Sequence, residues 1–212
     1  MKTIGRVLAD SRTTSATLSD RRQTYKLLRP ASDIAARLEE DYRLRVQYIG
    51  RRDYTDVADI IARVAIWLTS ETARPGLILS GGVGTGKTTM LYTIRRVVSD
   101  CGYSGKMFQA SDMRTRFVDN VEQTRYQILQ GSWCRYLYLD DIGTDPRVIR
   151  DYGNETRPFV RIVEERYNRG LPIVISTNLN VNDFETEYDL RTADRLREMC
   201  DVLTYNGESY RK

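Results

Sequence analysis

A glycine-rich octet, Gly81-Gly82-Val83-Gly84-Thr85-Gly86-Lys87-Thr88, constrains this chain more than any other stretch. An apolar run, Leu77-Ile78-Leu79-Ser80, comes before it, and a helical pattern starts near Lys87. The octet fits G-x-x-x-x-G-K-[ST], in which glycines let the backbone turn its N–H groups inward onto an anion. The helix that follows aims its positive end at the same point. The spacing therefore predicts a strand, a phosphate-binding loop and a helix. Residues Gly81, Gly82, Val83, Gly84, Thr85, Gly86, Lys87, Thr88 and Thr89 are expected to surround the phosphates of ATP. Lys87 can reach the β- and γ-phosphates, and the Thr88 hydroxyl can coordinate Mg²⁺.

A second stretch agrees with the first. Tyr136-Leu137-Tyr138-Leu139-Asp140-Asp141 is an apolar strand ending in two carboxylates, the Walker B pattern. Asp140 is the expected Mg²⁺ partner, and Asp141 is expected to polarise the attacking water. Downstream, Leu171-Pro172-Ile173-Val174-Ile175-Ser176 reads as another strand, closed by Thr177-Asn178. A polar group at that tip can hold the water, which makes Asn178 a candidate site residue.

Composition removes several kinds of chemistry. The 212 residues contain no histidine, so His-based acid–base catalysis and His metal ligation are excluded. Cys101, Cys134 and Cys200 form no C-x-x-C pair, which argues against structural zinc; they read as reduced thiols of a cytoplasmic protein. No run of about 18 apolar residues is present, and no apolar segment follows the first charges, so neither a membrane span nor a secretory signal is expected. The net charge of +4 is uneven. Residues 1–75 hold 14 Lys+Arg against 10 Asp+Glu, whereas residues 76–212 hold 19 of each. That basic segment can track a polyanion or be a solvated face.

In chain order, residues 1–30 are polar and rich in Ser, Thr and Arg. A helix is predicted over 31–48, with Ile34, Leu38, Tyr42 and Leu44 repeating at roughly helical spacing. A stronger one is predicted over 55–72, capped by Thr55, with Val57, Ile60, Ile61, Val64, Ala65 and Leu68 as its stripe and Trp67 in the core. A strand over 106–110 precedes a helix capped by Ser111 or Asp112, then a second helical stretch over 121–129. Residues 143–156 read as a polar loop. Pro158 opens a helix that Gly170 ends. A basic helix over 190–200 carries Arg191, Arg195 and Arg197, and a last strand covers 201–205. This order gives an α/β domain with a parallel five-stranded sheet flanked by helices over residues 51–212, preceded by a small helical N-terminal extension over 1–50 that is a candidate partner-docking segment.

The motif series resembles a known family. The phosphate loop is followed by Tyr138-Leu139-Asp140-Asp141-Ile142-Gly143, Glu165-Arg166-Tyr167-Asn168-Arg169, Ile175-Ser176-Thr177-Asn178-Leu179, Asp194-Arg195-Leu196 and Ser209-Tyr210-Arg211. This is similar to the DnaC-type bacterial helicase loaders and the IstB-type transposition helper ATPases, in the initiator branch of the AAA+ P-loop NTPases. The resemblance implies that Lys87, Thr88, Asp140 and Asn178 are the Walker A, Walker B and sensor I residues. It implies that Arg195 is an arginine finger serving a neighbouring subunit, with Arg191 one turn before it, and that Arg211 is the C-terminal sensor arginine. It also implies that residues 111–131 form the insertion that faces single-stranded DNA in a homo-oligomer, and that a replicative helicase or a transposase is the partner.

Three departures bear on these expectations. The water-polarising residue is often Glu in AAA+ proteins and is Asp141 here, so hydrolysis is expected to be slow. The sequence stops at Lys212, so no separate lid domain is expected. The N-terminal part has no Cys cluster, so a docking module there would be metal-free. Two alternatives stay open: a monomeric P-loop small-molecule kinase, and a nucleotide-gated adaptor with negligible turnover.

Overall fold

A computed structural model describes residues 25–48, 57–119, 124, 135–151, 153–180 and 182–206. Helix α1 (Ala31–Tyr48) and helix α2 (Ala58–Thr69) come first. Strand β1 (Gly76–Gly81), helix α3 (Lys87–Asp100) and strand β2 (Gly105–Gln109) follow. A 3₁₀ turn, Ala110–Asp112, leads into helix α4 (Met113–Val118). Strand β3 (Tyr136–Ile142) precedes a short hairpin of β4 (Ile149–Asp151) and β5 (Asn154–Thr156). Helix α5 (Pro158–Arg169), strand β6 (Ile173–Thr177), helix α6 (Asp183–Glu187), helix α7 (Leu190–Met199) and strand β7 (Cys200–Tyr205) complete the order.

Five parallel strands form the sheet, as expected, and their order is β2-β3-β6-β1-β7. Side chains alternate across it. Leu77 and Leu79 of β1 face the layer of α1, α2 and α3, whereas Ile78 faces the layer of α5, α6 and α7. Burial on both faces is why the central strands β1, β3 and β6 read as continuous apolar runs, whereas the edge strands β2 and β7 are only partly buried. β1 lies between β6 and β7, while the chain leaves it for β2 on the far side of β6 and β3. Such a reversal opens a crevice at the carboxyl ends of the strands, where ligands of doubly wound sheets bind.

The N-terminal helix joins the same core. Ile34, Leu38, Tyr42 and Val46, spaced one turn apart, are all buried against α2 and α3. Leu44 departs from the expectation. It is 55% exposed, because an i, i+4 stripe through Tyr42 continues at Val46 and turns Leu44 outward. Ahead of α1, Leu27 N–H donates to Leu68 O at 2.8 Å and Lys26 Nζ donates to Trp67 O at 2.8 Å, which anchors the chain to the end of α2. Trp67 is core, with its Nε1 donating to Arg74 O.

Helix ends follow the sequence in part. Pro158 sits in the first turn of α5, and Gly170 ends it at φ +61°. Asp189 caps α7 by accepting Thr192 N–H at 2.7 Å. Neither Ser111 nor Asp112 caps α4: Asp112 occupies the capping position with helical dihedrals and makes no capping bond, since the 3₁₀ turn already winds the chain into the helix. The Thr55 cap and most of the helical stretch over 121–129 lie outside the described residues.

Residues 143–156 are not all loop, as β4 pairs with β5 from Ile149↔Thr156 to Asp151↔Asn154. The strands are three residues long, and Ile149 is their one buried apolar side chain, so no period-2 pattern announces them.

Candidate nucleotide site

Backbone geometry shapes the phosphate loop. Gly84 and Gly86 adopt φ of +81° and +94°, which side chains on L-residues resist. A Cβ on Gly86 would lie 2.4 Å from the Tyr42 hydroxyl, so α1 closes the loop from outside and leaves room only for glycine. Thr85 Oγ1 donates to Gly82 O at 3.0 Å and braces the turn. The loop forms one wall, Val83 to Thr89, of a cavity of about 500 Å³. The other wall is Gln109, Asp140, Asp141, Ser176 and Asn178, all at the carboxyl ends of β2, β3 and β6. The volume is within the range of small-molecule sites. Past Thr88 and Thr89 it adjoins a second, largely apolar cavity of about 520 Å³ between α1 and α3, whose walls include Leu44, Tyr48 and Tyr92.

Lys87 is 7% exposed, and its Nζ donates to Gly81 O at 2.7 Å, Gly82 O at 2.6 Å and Asn178 Oδ1 at 2.8 Å. The ammonium is thus held over the loop, facing the sensor position. Asn178 bridges two functional groups, because its Nδ2 donates to Asp141 Oδ1 at 3.4 Å.

The two carboxylates diverge at a bulge. β3 pairs with β6 through Leu137↔Ile173 and Leu139↔Ile175, and the register then shifts before Ile142↔Thr177. The extra residue lets consecutive side chains serve one site, and Asp141 takes φ +60° to do so. Asp140 is 2% exposed. Its Oδ1 accepts from Thr88 Oγ1 at 3.0 Å and from Ser176 Oγ, and its Oδ2 accepts from Gln109 Nε2 at 3.1 Å. The Asp141 N–H donates to the same Ser176 hydroxyl at 2.9 Å. Beyond the acids, buried Asp145 accepts from Gly143 N–H, Arg147 and the Tyr188 hydroxyl and locks the following loop. Burial first, and then the Asp145 charge, push the Tyr188 phenol far above its ordinary value.

Ser176 and Gln109 were not singled out in the sequence, although each holds Asp140. A usable signal existed, since each is a polar residue at or next to the carboxyl end of its strand. The donor set fits a hard cation. The Thr88 hydroxyl and the Asp140 carboxylate are adjacent oxygens, and among the described residues no group of three or more Asp, Glu, Cys or His is arranged to hold a metal ion by itself. Mg²⁺ is bound in that manner, by one or two protein oxygens with phosphates and waters.

Arg195 is not part of this wall. On α7, its Nη2 donates to Glu164 Oε1 at 3.1 Å and its guanidinium lies over the Tyr167 ring, 5.5 Å from the centroid. Arg191 Nη2 is 3.5 Å from the same Glu164 oxygen. Arg211 lies outside the described residues. Among the described residues, the cavity wall carries one cationic side chain, Lys87.

The family model described as IstB-like ATP binding protein matches residues 11–212. Among solved structures, the chain is similar to the DnaC helicase loader, with a TM-score of 0.56 and 19% identity over 74% of this chain and 94% of that one. It is similar to DnaI at 0.56 and 18%, over 72% of this chain and 87% of that one. It is also similar to the replication initiator DnaA bound to AMPPCP and single-stranded DNA, at 0.50 and 17%, over 63% of this chain and 40% of that one. At these identities the likeness is one of fold, and the fold is that of a P-loop AAA+ ATPase domain. No curated protein sequence matches the chain. Among the described residues, no helix is long and apolar enough to cross a membrane.

Proposed function

The chain belongs to the IstB-like ATP-binding family, and from that membership and its site geometry we propose that it hydrolyses ATP at an interface between two copies of itself. The observation that carries this reading is the single cation of the described cavity wall. A transferring γ-phosphoryl group spreads negative charge over its oxygens, and an arginine from outside raises such rates by about 10³-fold or more. Arg195, on α7 and off that wall, is the residue to supply it.

The chemistry is water attacking the γ-phosphorus of ATP to give ADP and inorganic phosphate. Loop N–H groups and Lys87 bind the phosphates. As Lys87 turns to phosphate oxygens it leaves Asn178 Oδ1, which is then free to accept a hydrogen bond from the attacking water. Asp141 orients and polarises that water, and its shortness against Glu keeps turnover low. Thr88 and Asp140 would hold Mg²⁺, which supplies charge neutralisation at the β- and γ-phosphates. Ser176 and Gln109 keep the Asp140 carboxylate in place. The nucleoside end extends past Thr89 toward Tyr92.

The assembly acts on single-stranded DNA and helps either to load a replicative helicase or to assist a transposase. Three things support this: the family, the likeness in fold to a helicase loader and to an initiator bound to single-stranded DNA, and the basic excess in residues 1–75.

The test mixes Lys87→Ala protein with Arg195→Ala protein, each nearly inactive alone. In a heterologous assembly mixed at random in equal amounts, roughly a quarter of interfaces regain both groups, and activity returns with single-stranded DNA present. No recovery in assemblies shown to have formed refutes the trans role. Activity that ignores protein concentration and DNA points to the monomeric kinase. ATP binding with no turnover under any condition points to the adaptor.

A further inference from the structure

Glu164 stands out among residues no motif claims. It lies on α5, and its Oε1 is shared by two arginines of α7, Arg195 at 3.1 Å and Arg191 at 3.5 Å. The three side chains differ in exposure: Arg195 is 11% exposed, Glu164 39% and Arg191 75%. Tyr167, one turn along α5 from Glu164, lies under the Arg195 guanidinium, and its hydroxyl donates to Glu198 Oε2 at 2.5 Å. Arg195 is therefore laid down along its own chain, covered, paired and stacked. To bind a phosphate, that guanidinium must give up its pairing with Glu164 and its place over Tyr167.

We propose that Glu164 is a positioning residue that holds Arg195 at rest and releases it when a neighbouring copy presents bound ATP. The proposal rests on Arg195 acting in trans. Its physical basis is an exchange of partners. A carboxylate that loses its one cation is left unpaired, which resists the transfer. Glu164 has two, so Arg195 can move to the γ-phosphate while Arg191 keeps Glu164 paired. The exchange trades a carboxylate for a more highly charged phosphate, so it proceeds only where ATP is present across the interface. Assembly without nucleotide leaves Arg195 on Glu164. Assembly is thereby made responsive to the neighbour's nucleotide, which Arg195 alone would not achieve.

The experiment measures ATPase rate per subunit against protein concentration at saturating ATP for wild type, Glu164→Gln, Glu164→Asp and Glu165→Gln. Gln is nearly isosteric with Glu and Glu164 is half-buried, and thermal melts report that each variant folds. Removing the resting charge lowers the concentration for half-maximal activity about threefold to fivefold, with the plateau unchanged within about twofold. Glu164→Asp keeps the charge and restores the wild-type half-point. Glu165→Gln makes the same charge change one residue away, where the side chain pairs with Arg169, and stays at wild type. A half-point that is unchanged or raised in Glu164→Gln overturns the proposal, and so does an equal fall in Glu165→Gln, which would mean a general charge effect. If Lys87→Ala and Arg195→Ala proteins complement each other while Glu164→Gln behaves as wild type, only the role of Glu164 falls. If they fail to complement, the trans reading falls and this proposal falls with it.

Discussion

Replacing Ser176 with alanine removes the one hydroxyl among the described residues that touches both Walker B residues. Ser176 is 1% exposed, donates to Asp140 Oδ1 and accepts the Asp141 N–H at 2.9 Å. The first bond is made to a buried carboxylate, and hydrogen bonds to charged groups contribute about 1.5–3 kcal/mol. The second secures Asp141 at φ +60°, a backbone region that costs a non-glycine residue about 1–2 kcal/mol. Ser176→Ala should therefore destabilise the protein by about 2–4 kcal/mol. For a chain of this size that is a fall in Tm of about 5–15 °C. Function changes in a separate way. Asp140 keeps Thr88 and Gln109 but loses one anchor, and removing such outer partners lowers metal affinity or activity about 10- to 100-fold. The assays are thermal unfolding by circular dichroism and ATPase rate titrated with Mg²⁺. A fall in Tm below about 2 °C, with an unchanged Mg²⁺ requirement, refutes the assignment of Ser176 as the link between the two acids.

Two further perturbations test the phosphate loop and the anchoring of the chain ahead of α1. Gly86→Ala combines a backbone strain at φ +94° with a Cβ 2.4 Å from the Tyr42 hydroxyl, so fluorescent-ATP affinity should fall about tenfold or more; unchanged affinity means α1 does not set the loop. Burial pushes the Lys26 ammonium down to about 8 from 10.5, against the upward pull of Asp201. Between those values the unfolded chain binds more protons than the folded one, so this group's contribution to stability rises with pH across that window. The stability gap between Lys26→Met and wild type, read from urea melts at pH 7 to 10, should shift toward wild type by about 2–3 kcal/mol; a gap independent of pH refutes the buried-lysine account.

Much of the fold could be read in advance because the three central strands, β1, β3 and β6, are buried on both faces and bounded by turn residues. Leu77 to Leu79, Tyr136 to Leu139 and Ile173 to Ile175 carry that signal without help from partners. Elements with one buried apolar residue did not carry it. The β4–β5 hairpin rests on Ile149 and α6 on Phe184, and both are stabilised by what they pack against. The site divides in the same way. The glycine octet and the Asp140-Asp141 pair are local patterns, so their chemistry shows in the linear chain. Ser176, Gln109 and Tyr42 reach the site through sheet order and helix packing, and Glu164 meets Arg195 only where α5 and α7 lie side by side. Such pairings depend on topology.

The central claim is that one chain holds part of an active site and a second copy supplies the rest. ATPase rate per subunit, measured across a wide range of protein concentration with and without single-stranded DNA, tests it most directly. The account predicts a low rate in dilute protein that climbs steeply with concentration and reaches half its plateau at lower concentration when DNA is present. A rate per subunit that stays flat across the range, with DNA making no difference, would contradict it.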